Sequence, residues 1–258
     1  MWDMSLPREQ GPRDGRPNVG VLDRAVAILD AVEAGARSFS DLVEATGYSR
    51  STTHRLIRAL EDHGFLAAVG SVGYVLGPRL LRLAATATRE LPLRDLARSA
   101  LELLVKRTGE SAQLYLRSGD HRLCIDSVQS SNELRTIVDV GATLPLTAGS
   151  AGKVFLAWAP DAERLLESAR PFTSATLSVD RLRRQITTIA RRGWAESVGE
   201  REVGVASVSA PVFGEDGAVL AAVSVSGPIQ RLGRAPGKRY SGAVAGAARE
   251  IERALRDG

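Results

Sequence analysis

The chain has few of the residues that bind metals or form disulfides. It contains one cysteine, Cys124, and three histidines, so an internal disulfide is excluded and no set of Cys and His residues has the spacing of a zinc site. Cys124 lies in the apolar stretch 123–125, which is typical of a buried structural thiol in a reducing compartment. We therefore expect a cytoplasmic protein with no metal and no cofactor.

Long apolar runs are lacking as well. None approaches the roughly 18 residues of a membrane span, and no apolar segment follows the start of the chain as it would in a signal peptide. A hydrophobic content of 44% with 25% charged residues is typical of a globular protein, and 258 residues allow two domains with separate cores. Residues 1–18, which are rich in Pro, Gly, Arg and Asp, predict a disordered tail.

Residues 38–64 have the pattern of two short helices joined by a tight turn. Ser38 and Asp41 have the spacing of a capping box at the start of the first helix. Gly47 can end that helix in a left-handed conformation, and Ser49 can cap the next one. The segment therefore predicts a helix-turn-helix.

The second of these helices has two distinct faces, and residues 49–60 contain no acidic side chain. At about 100° per residue, the inner arc carries Thr53, Leu56, Ile57 and Leu60. An isolated basic helix face is most often merely solvated, but a helix with a cationic outer face after a Gly-containing turn is the geometry that enters a DNA major groove. The candidate DNA contacts are on the outer arc or in the first turn: Arg50, Ser51, Thr52, His54, Arg55 and Arg58.

The flanking segments favour DNA binding over the solvated alternative. Residues 21–34 predict a preceding helix whose apolar stripe is Leu22, Val26, Leu29 and Val32. Residues 65–69 and 74–76 predict two short strands around a glycine-bounded turn, which is the wing of a winged helix-turn-helix. We assign residues 19–77 to this DNA-binding domain and residues 78–91 to a linker helix.

Residues 92–258 predict an α+β domain. The expected helices are 93–108, 151–158, 161–169, 179–192 and 238–255. The expected strands are 112–117, 122–128, 135–140, 204–213 and 218–226. Because helices and strands do not alternate regularly, an antiparallel sheet flanked by helices is favoured over a doubly wound sheet.

A small-residue loop at 147–152 indicates a ligand pocket. It leads into a predicted helix, whose free N–H groups and dipole attract a carboxylate. Ser207 and Ser209 on one predicted strand, and Ser224 and Ser226 on another, have the period-two spacing that places each pair on one face. Inward-facing hydroxyls could hold a small organic acid; the alternative is that these serines face solvent.

Ser150 and Lys153 also fit the S-x-x-K spacing of acyl-transfer enzymes, in which the lysine activates the serine. A serine hydrolase or acyltransferase is therefore the alternative function. The S-D-N and K-T-G elements of that enzyme class are absent from the sequence, so we do not expect an enzyme.

The order of motifs resembles the IclR-type transcriptional regulators over nearly the whole chain after the tail. The motifs that carry the resemblance are Val21-Leu22-Asp23-Arg24-Ala25, Ser51-Thr52-Thr53-His54-Arg55-Leu56, Tyr74-Val75-Leu76-Gly77, Leu144-Pro145-Leu146, Ala151-Gly152-Lys153, Arg192-Gly193-Trp194, Glu200, Gly204-Val205, Ala210-Pro211-Val212-Phe213 and Val223-Ser224-Val225-Ser226-Gly227-Pro228.

The resemblance implies an N-terminal winged helix, a linker helix and a C-terminal GAF-like effector-binding domain. It implies a homodimer or dimer of dimers whose affinity for double-stranded operator DNA is modulated by an organic acid or aromatic metabolite. The implied effector contacts are Leu144, Ser150, Ala151, Ser207, Ser224 and Ser226. Relatives that bind small keto acids have acidic residues where this chain has Ser197-Val198-Gly199, and a cysteine where it has Ser207, so the resemblance leaves the effector open.

Overall fold

The computed structural model describes residues 20–89 and 92–257. The chain forms two compact units, and the division between them falls between Leu91 and Pro92. The tail assigned to residues 1–18 lies outside the described residues. Within the described residues, no helix is both long and apolar enough to cross a membrane.

The N-terminal unit is a winged helix-turn-helix, as predicted. Its elements are α1 (Gly20–Glu33), α2 (Phe39–Thr46), α3 (Arg50–Asp62), β1 (Leu66–Val69), β2 (Gly73–Leu76) and α4 (Pro78–Arg89). Strands β1 and β2 pair antiparallel, with Leu66 opposite Leu76. The core lies between the first three helices and β1, and it contains Ile28, Val32, Leu42, Leu56, Ile57, Leu60 and Leu66.

The predicted helix ends of this unit are confirmed. Ser38 and Asp41 form a complete capping box, and Gly47 ends α2 with φ at 68°. The hydroxyl of Ser49 accepts a hydrogen bond from the backbone N–H of Thr52 at 3.2 Å. These short-range bonds satisfy N–H groups that a helix leaves unpaired at its start.

The predicted apolar stripe of α1 is wrong for its first half. Leu22 and Val26 are 61% and 45% exposed, while Ile28, Ala31 and Val32 are buried. Since α1 has apolar residues on more than one face, periodicity alone does not determine which face packs into the core. The N-terminal half of α1 therefore presents apolar side chains at the surface of the unit.

The C-terminal unit is built on a six-stranded antiparallel sheet in the order β5-β4-β3-β8-β7-β6. Its strands are β3 (Ser111–Ser118), β4 (His121–Val128), β5 (Thr143–Pro145), β6 (Ala195–Val198), β7 (Val205–Phe213) and β8 (Val219–Pro228). Its helices are α5 (Pro92–Thr108), α6 (Ser150–Trp158), α7 (Ala162–Glu167), α8 (Val179–Arg192), α9 (Ile229–Leu232) and α10 (Gly237–Asp257). Helices α5 and α10 pack against each other and on the sheet, and α6 packs on the sheet with α8 against it, which gives the expected α+β architecture.

The predicted strand at 135–140 does not form. This segment has no partner in the sheet, and the shorter segment Thr143–Pro145 pairs with β4 in its place. Burial nevertheless alternates along it, since Thr136 and Val138 are buried and Ile137 is exposed. The period-two pattern therefore reflects a segment that covers a cavity on one side, and not a hydrogen-bonded strand.

Candidate functional site

The first candidate site is the outer face of α3. Of the six predicted contacts, Arg50, Ser51, His54, Arg55 and Arg58 are exposed and Thr52 is half-buried. The opposite face, formed by Thr53, Leu56, Ile57 and Leu60, is buried. The structure thus brings the predicted side chains together on one face of a helix whose other face is fixed in the core.

Two aromatic side chains from neighbouring elements frame this face. The guanidinium of Arg50 lies 4.9 Å from the ring centroid of Phe39 in α2, and the His54 ring lies 6.4 Å from the same ring. Phe39 and Tyr74 of β2 line a shallow cleft together with Arg50, Ser51, His54 and Arg55. Neither aromatic residue is predictable as a site residue from the sequence, because a half-buried aromatic side chain on a helix or a strand has the same pattern as a core residue.

The arginines of α3 are available to bind phosphate. Among the residues that the structure describes, the ion pairs are made by other arginines and by Lys153, and none involves Arg50, Arg55 or Arg58. A cation with no carboxylate partner gives up no internal ion pair when it contacts a phosphate. The face can therefore bind an anionic backbone at low cost.

The wing has an apolar tip that is anchored to the loop between α1 and α2. The N–H of Tyr74 donates to the carbonyl of Arg37 at 2.8 Å, and a Cβ atom at Gly73 would overlap that carbonyl. At the tip, Val69 and Val72 are exposed, and the turn contains no Lys or Arg. These contacts hold the wing in a fixed position. Its turn carries no cationic side chain that could bind a phosphate.

The second candidate site is a cavity in the C-terminal unit, between the sheet, the start of α6 and the covering segment 135–140. All six predicted effector contacts line it: Leu144, Ser150, Ala151, Ser207, Ser224 and Ser226. Further lining residues, which the sequence analysis did not assign, include Tyr115, Arg122, Thr136, Val138, Arg201 and Glu202.

The serines at this cavity form a hydrogen-bonded network. Ser150 donates to Ser207 at 2.7 Å, and its oxygen lies 2.7 Å from that of Ser209. Ser209 donates to Ser224 at 2.9 Å, and Ser226 donates to the side-chain carbonyl of Gln113 at 3.0 Å. Ser209, Ser224 and Ser226 are also buried and Ser207 is half-buried, so the alternative in which these serines face solvent is wrong. The network links the start of α6 to β7 and β8.

Arg122 is the main residue that the sequence analysis missed. It is only 3% exposed, and its guanidinium lies 5.4 Å from the ring centroid of Tyr115. It donates to the backbone carbonyls of Pro145 and Ala148. Burial lowers the pKa of Arg122 to about 10 and raises the pKa of Tyr115 to about 12, so at neutral pH the arginine is charged and the tyrosine is not.

Lys153 does not form a catalytic pair with Ser150. The lysine is fully buried, and its ammonium group donates to Glu200 at 2.6 Å and to Gln185 at 2.9 Å. Burial lowers the pKa of Lys153, and attraction to Glu200 opposes that shift. Because the Lys153 ammonium is paired with Glu200 and the Ser150 hydroxyl bonds to other serines, the S-x-x-K spacing does not mark an activated nucleophile here.

The Cys124 thiol is expected to resist chemical modification in the folded protein. It is fully buried, and burial, assisted by the nearby Asp126, raises its pKa to about 12, so little reactive thiolate forms at neutral pH. Reaction with a coloured aromatic disulfide should be slow in native buffer and complete, with one thiol per chain, in denaturant. Rapid labelling of the native protein would contradict the burial of this residue.

Comparisons with known proteins match both units. A family model described as the IclR helix-turn-helix domain matches residues 21–70, and one described as bacterial transcriptional regulator IclR C-terminal matches residues 85–253. The chain is 31% identical over 223 residues to the glycerol operon regulatory protein of Streptomyces coelicolor, covering 84% of this chain and 88% of that protein. It is 29% identical over 240 residues to the transcriptional repressor IclR of Escherichia coli, covering 89% and 88%.

A solved structure adds a ligand-bound example. The chain is similar to an IclR homologue from Microbacterium hydrocarbonoxydans complexed with 4-hydroxybenzoate, with a TM-score of 0.79 and 26% sequence identity. The similarity covers 92% of this chain and 100% of the homologue.

Proposed function

Because the chain belongs to the IclR family of bacterial transcriptional regulators, we propose that it binds its operator through the outer face of α3, and that a ligand in the C-terminal cavity modulates this binding. It is a transcriptional regulator with a DNA-binding N-terminal domain and an effector-binding C-terminal domain. The observation that carries the proposed DNA interface is the exposed face of α3, whose arginines form no ion pair with any carboxylate in the described part of the chain.

The residues of α3 divide into two roles in this proposal. Arg50, Ser51, His54 and Arg55 lie towards the start of the helix and reach base edges or nearby phosphates, while Arg58 holds the backbone one turn further on. The Thr52 hydroxyl lies 2.9 Å from that of Ser49 within the helix cap, so its contribution to DNA contact is secondary.

The proposed effector is a small organic acid or an aromatic metabolite. The start of α6 and the serine network of β7 and β8 offer N–H and hydroxyl groups to such a ligand. The homologue from Microbacterium hydrocarbonoxydans is complexed with a compound of this class, 4-hydroxybenzoate. No observation favours the hydrolase alternative, since Lys153 bonds to Glu200 and Gln185.

We further propose that the regulator acts in the cytoplasm as a homodimer, or as a dimer of dimers. Apolar side chains are exposed on the N-terminal half of α1, where Val21, Leu22 and Val26 lie, and on α4, where Leu81 is 75% exposed and Leu83 is also exposed. Leu22 and Val26 lie four residues apart and therefore neighbour each other on α1, and exposed apolar side chains grouped in this way are typical of protein interfaces. A dimer doubles the phosphate contacts, which matters because residues 19–90 contain eight arginines and eight acidic residues.

The proposed DNA binding is tested by titrating the full-length protein against fluorescent duplexes from the region upstream of its own gene. We expect specific affinity that exceeds affinity for a shuffled duplex by about 10³-fold or more. The logarithm of the binding constant should fall linearly with the logarithm of salt concentration, because phosphate contacts release counter-ions. Equal affinity for all duplexes, or an affinity independent of salt, would contradict the proposal.

A further inference from the structure

The charge distribution in the cavity of the C-terminal unit identifies the chemical class of the effector more closely. We infer that Arg122 of β4 is the counter-ion for a carboxylate on the effector, and that this side chain restricts the regulator to anionic ligands. The inference rests on the proposed function of the cavity as the effector site.

The first support is a buried positive charge without a negative partner. Within residues 20–89 and 92–257, Arg122 takes part in no ion pair, in contrast to Arg117 and Arg231, which each pair with a carboxylate at 2.8 or 2.7 Å. Its Nε atom is buried and has no hydrogen-bond partner. A buried guanidinium whose partners are carbonyl groups and the neutral Tyr115 side chain keeps an uncompensated charge, which is costly, and a bound carboxylate would supply the missing negative charge.

The second support is the position of this guanidinium against the start of α6. A Cβ atom added at Gly149 would lie 2.9 Å from Nη2 of Arg122, and one added at Gly152 would lie 2.8 Å from Nη1. The N-terminus of a helix carries a partial positive charge, and here no side chain caps it. The guanidinium of Arg122 and the positive end of α6 therefore lie side by side. An anion bound next to both would reduce the repulsion between them.

The remaining charged groups of the cavity do not supply that anion. Arg201 also lines the cavity, and its repulsion adds to burial in lowering the pKa of Arg122. Glu202 is the one carboxylate among the described lining residues, and it is exposed and bonded to Arg201 at 2.9 Å. The cavity thus holds more positive than negative charge, which selects for an anionic ligand.

The rest of the lining combines apolar side chains with hydroxyl groups. Val138, Leu144 and Ala151 provide apolar contacts, and Ser207 and Ser224 can bond to a hydroxyl or keto group away from the carboxylate. In this arrangement, Arg122 and the start of α6 bind the charged end. The neutral end faces the apolar side chains and the serines.

The test compares carboxylates with their uncharged amides. The probes are acetate and acetamide, benzoate and benzamide, and 4-hydroxybenzoate and 4-hydroxybenzamide, each at millimolar concentration and constant ionic strength. At least one carboxylate should raise the thermal unfolding midpoint of the full-length protein, and its amide should not. Affinity measured by calorimetry should fall at least about tenfold in Arg122→Met, and Arg122→Lys should recover part of it.

The inference is overturned if no carboxylate in the set shifts the midpoint, if an amide shifts it as much as its acid, or if Arg122→Met binds the acid as tightly as the unchanged protein does. Operator titration of the unchanged protein without added ligand separates this result from a failure of the proposed function. Operator binding depends on α3 in the other unit of the chain, so it should be retained even if no carboxylate binds in the cavity. Failure of the unchanged protein to bind DNA would instead overturn the proposed function.

Discussion

The Glu200→Leu variant should lose about 3–5 kcal/mol of unfolding free energy, because it leaves the buried Lys153 ammonium group without its carboxylate. In the folded protein this ammonium group has Glu200 at 2.6 Å and Gln185 at 2.9 Å. The loss is measured by urea denaturation followed by circular dichroism. The matched control is Glu215→Leu, at an exposed position in the turn between β7 and β8, which should change stability little.

Two further measurements separate the charge effect from poor packing. The double variant Lys153→Met/Glu200→Leu should recover most of the loss, because it removes both buried charges. The folded-state pKa of Lys153 is already lowered and should fall further without Glu200. Between the folded-state and unfolded-state pKa of this lysine, the unfolded protein therefore binds more protons than the folded protein does. The stability of Glu200→Leu should therefore increase from neutral pH towards the unfolded lysine pKa of about 10.4. A deficit that is independent of pH and persists in the double variant would contradict the ion-pair explanation.

Replacing Arg55 by alanine should weaken binding to the specific operator by about 1–3 kcal/mol and relax sequence preference at the bases it contacts. Arg55 is exposed on the outer face of α3, away from the buried Leu56 and Ile57, so the fold should be unaffected. Anisotropy titrations with the operator and with single-base variants of it would measure both effects.

The control for this variant is Arg107→Ala, which removes the same charge from an exposed position near the end of α5. It should leave specific affinity nearly unchanged, because it lies in the other unit of the chain. Equal effects of the two substitutions would mean that net charge alone governs binding, and would contradict the assignment of α3 to the groove.

Local signals in the sequence were sufficient to predict the DNA-binding unit. The caps at Ser38 and Ser49 and the turn at Gly47 depend on neighbouring residues only, and the structure confirms them. The two faces of α3 follow in the same way from helical periodicity. The packing face of α1 was predicted wrongly in part, since the choice between two apolar faces depends on contacts that are distant in the sequence.

The effector cavity was only partly predictable for the same physical reason. The loop before α6 and the alternating serines indicated a pocket, but the importance of Arg122 depends on what surrounds it. Its neighbours Tyr115, Pro145 and Ala148 come from separate segments that the sheet and the loop before α6 bring together. An arginine in an apolar strand does not by itself predict a ligand-binding residue. The structure is needed to show that no carboxylate among the described residues pairs with it.

The most direct measurement of the central claim is a footprint of the full-length protein on the DNA upstream of its own gene, at nucleotide resolution and low salt. We predict one protected region with two symmetric half-sites, whose centres lie about 10.5 base pairs or a multiple of that spacing apart, as expected for two copies of α3 in successive major grooves. Arg55→Ala should lose this protection at the same protein concentration. Uniform protection along the fragment, or the same footprint with the variant, would contradict the account.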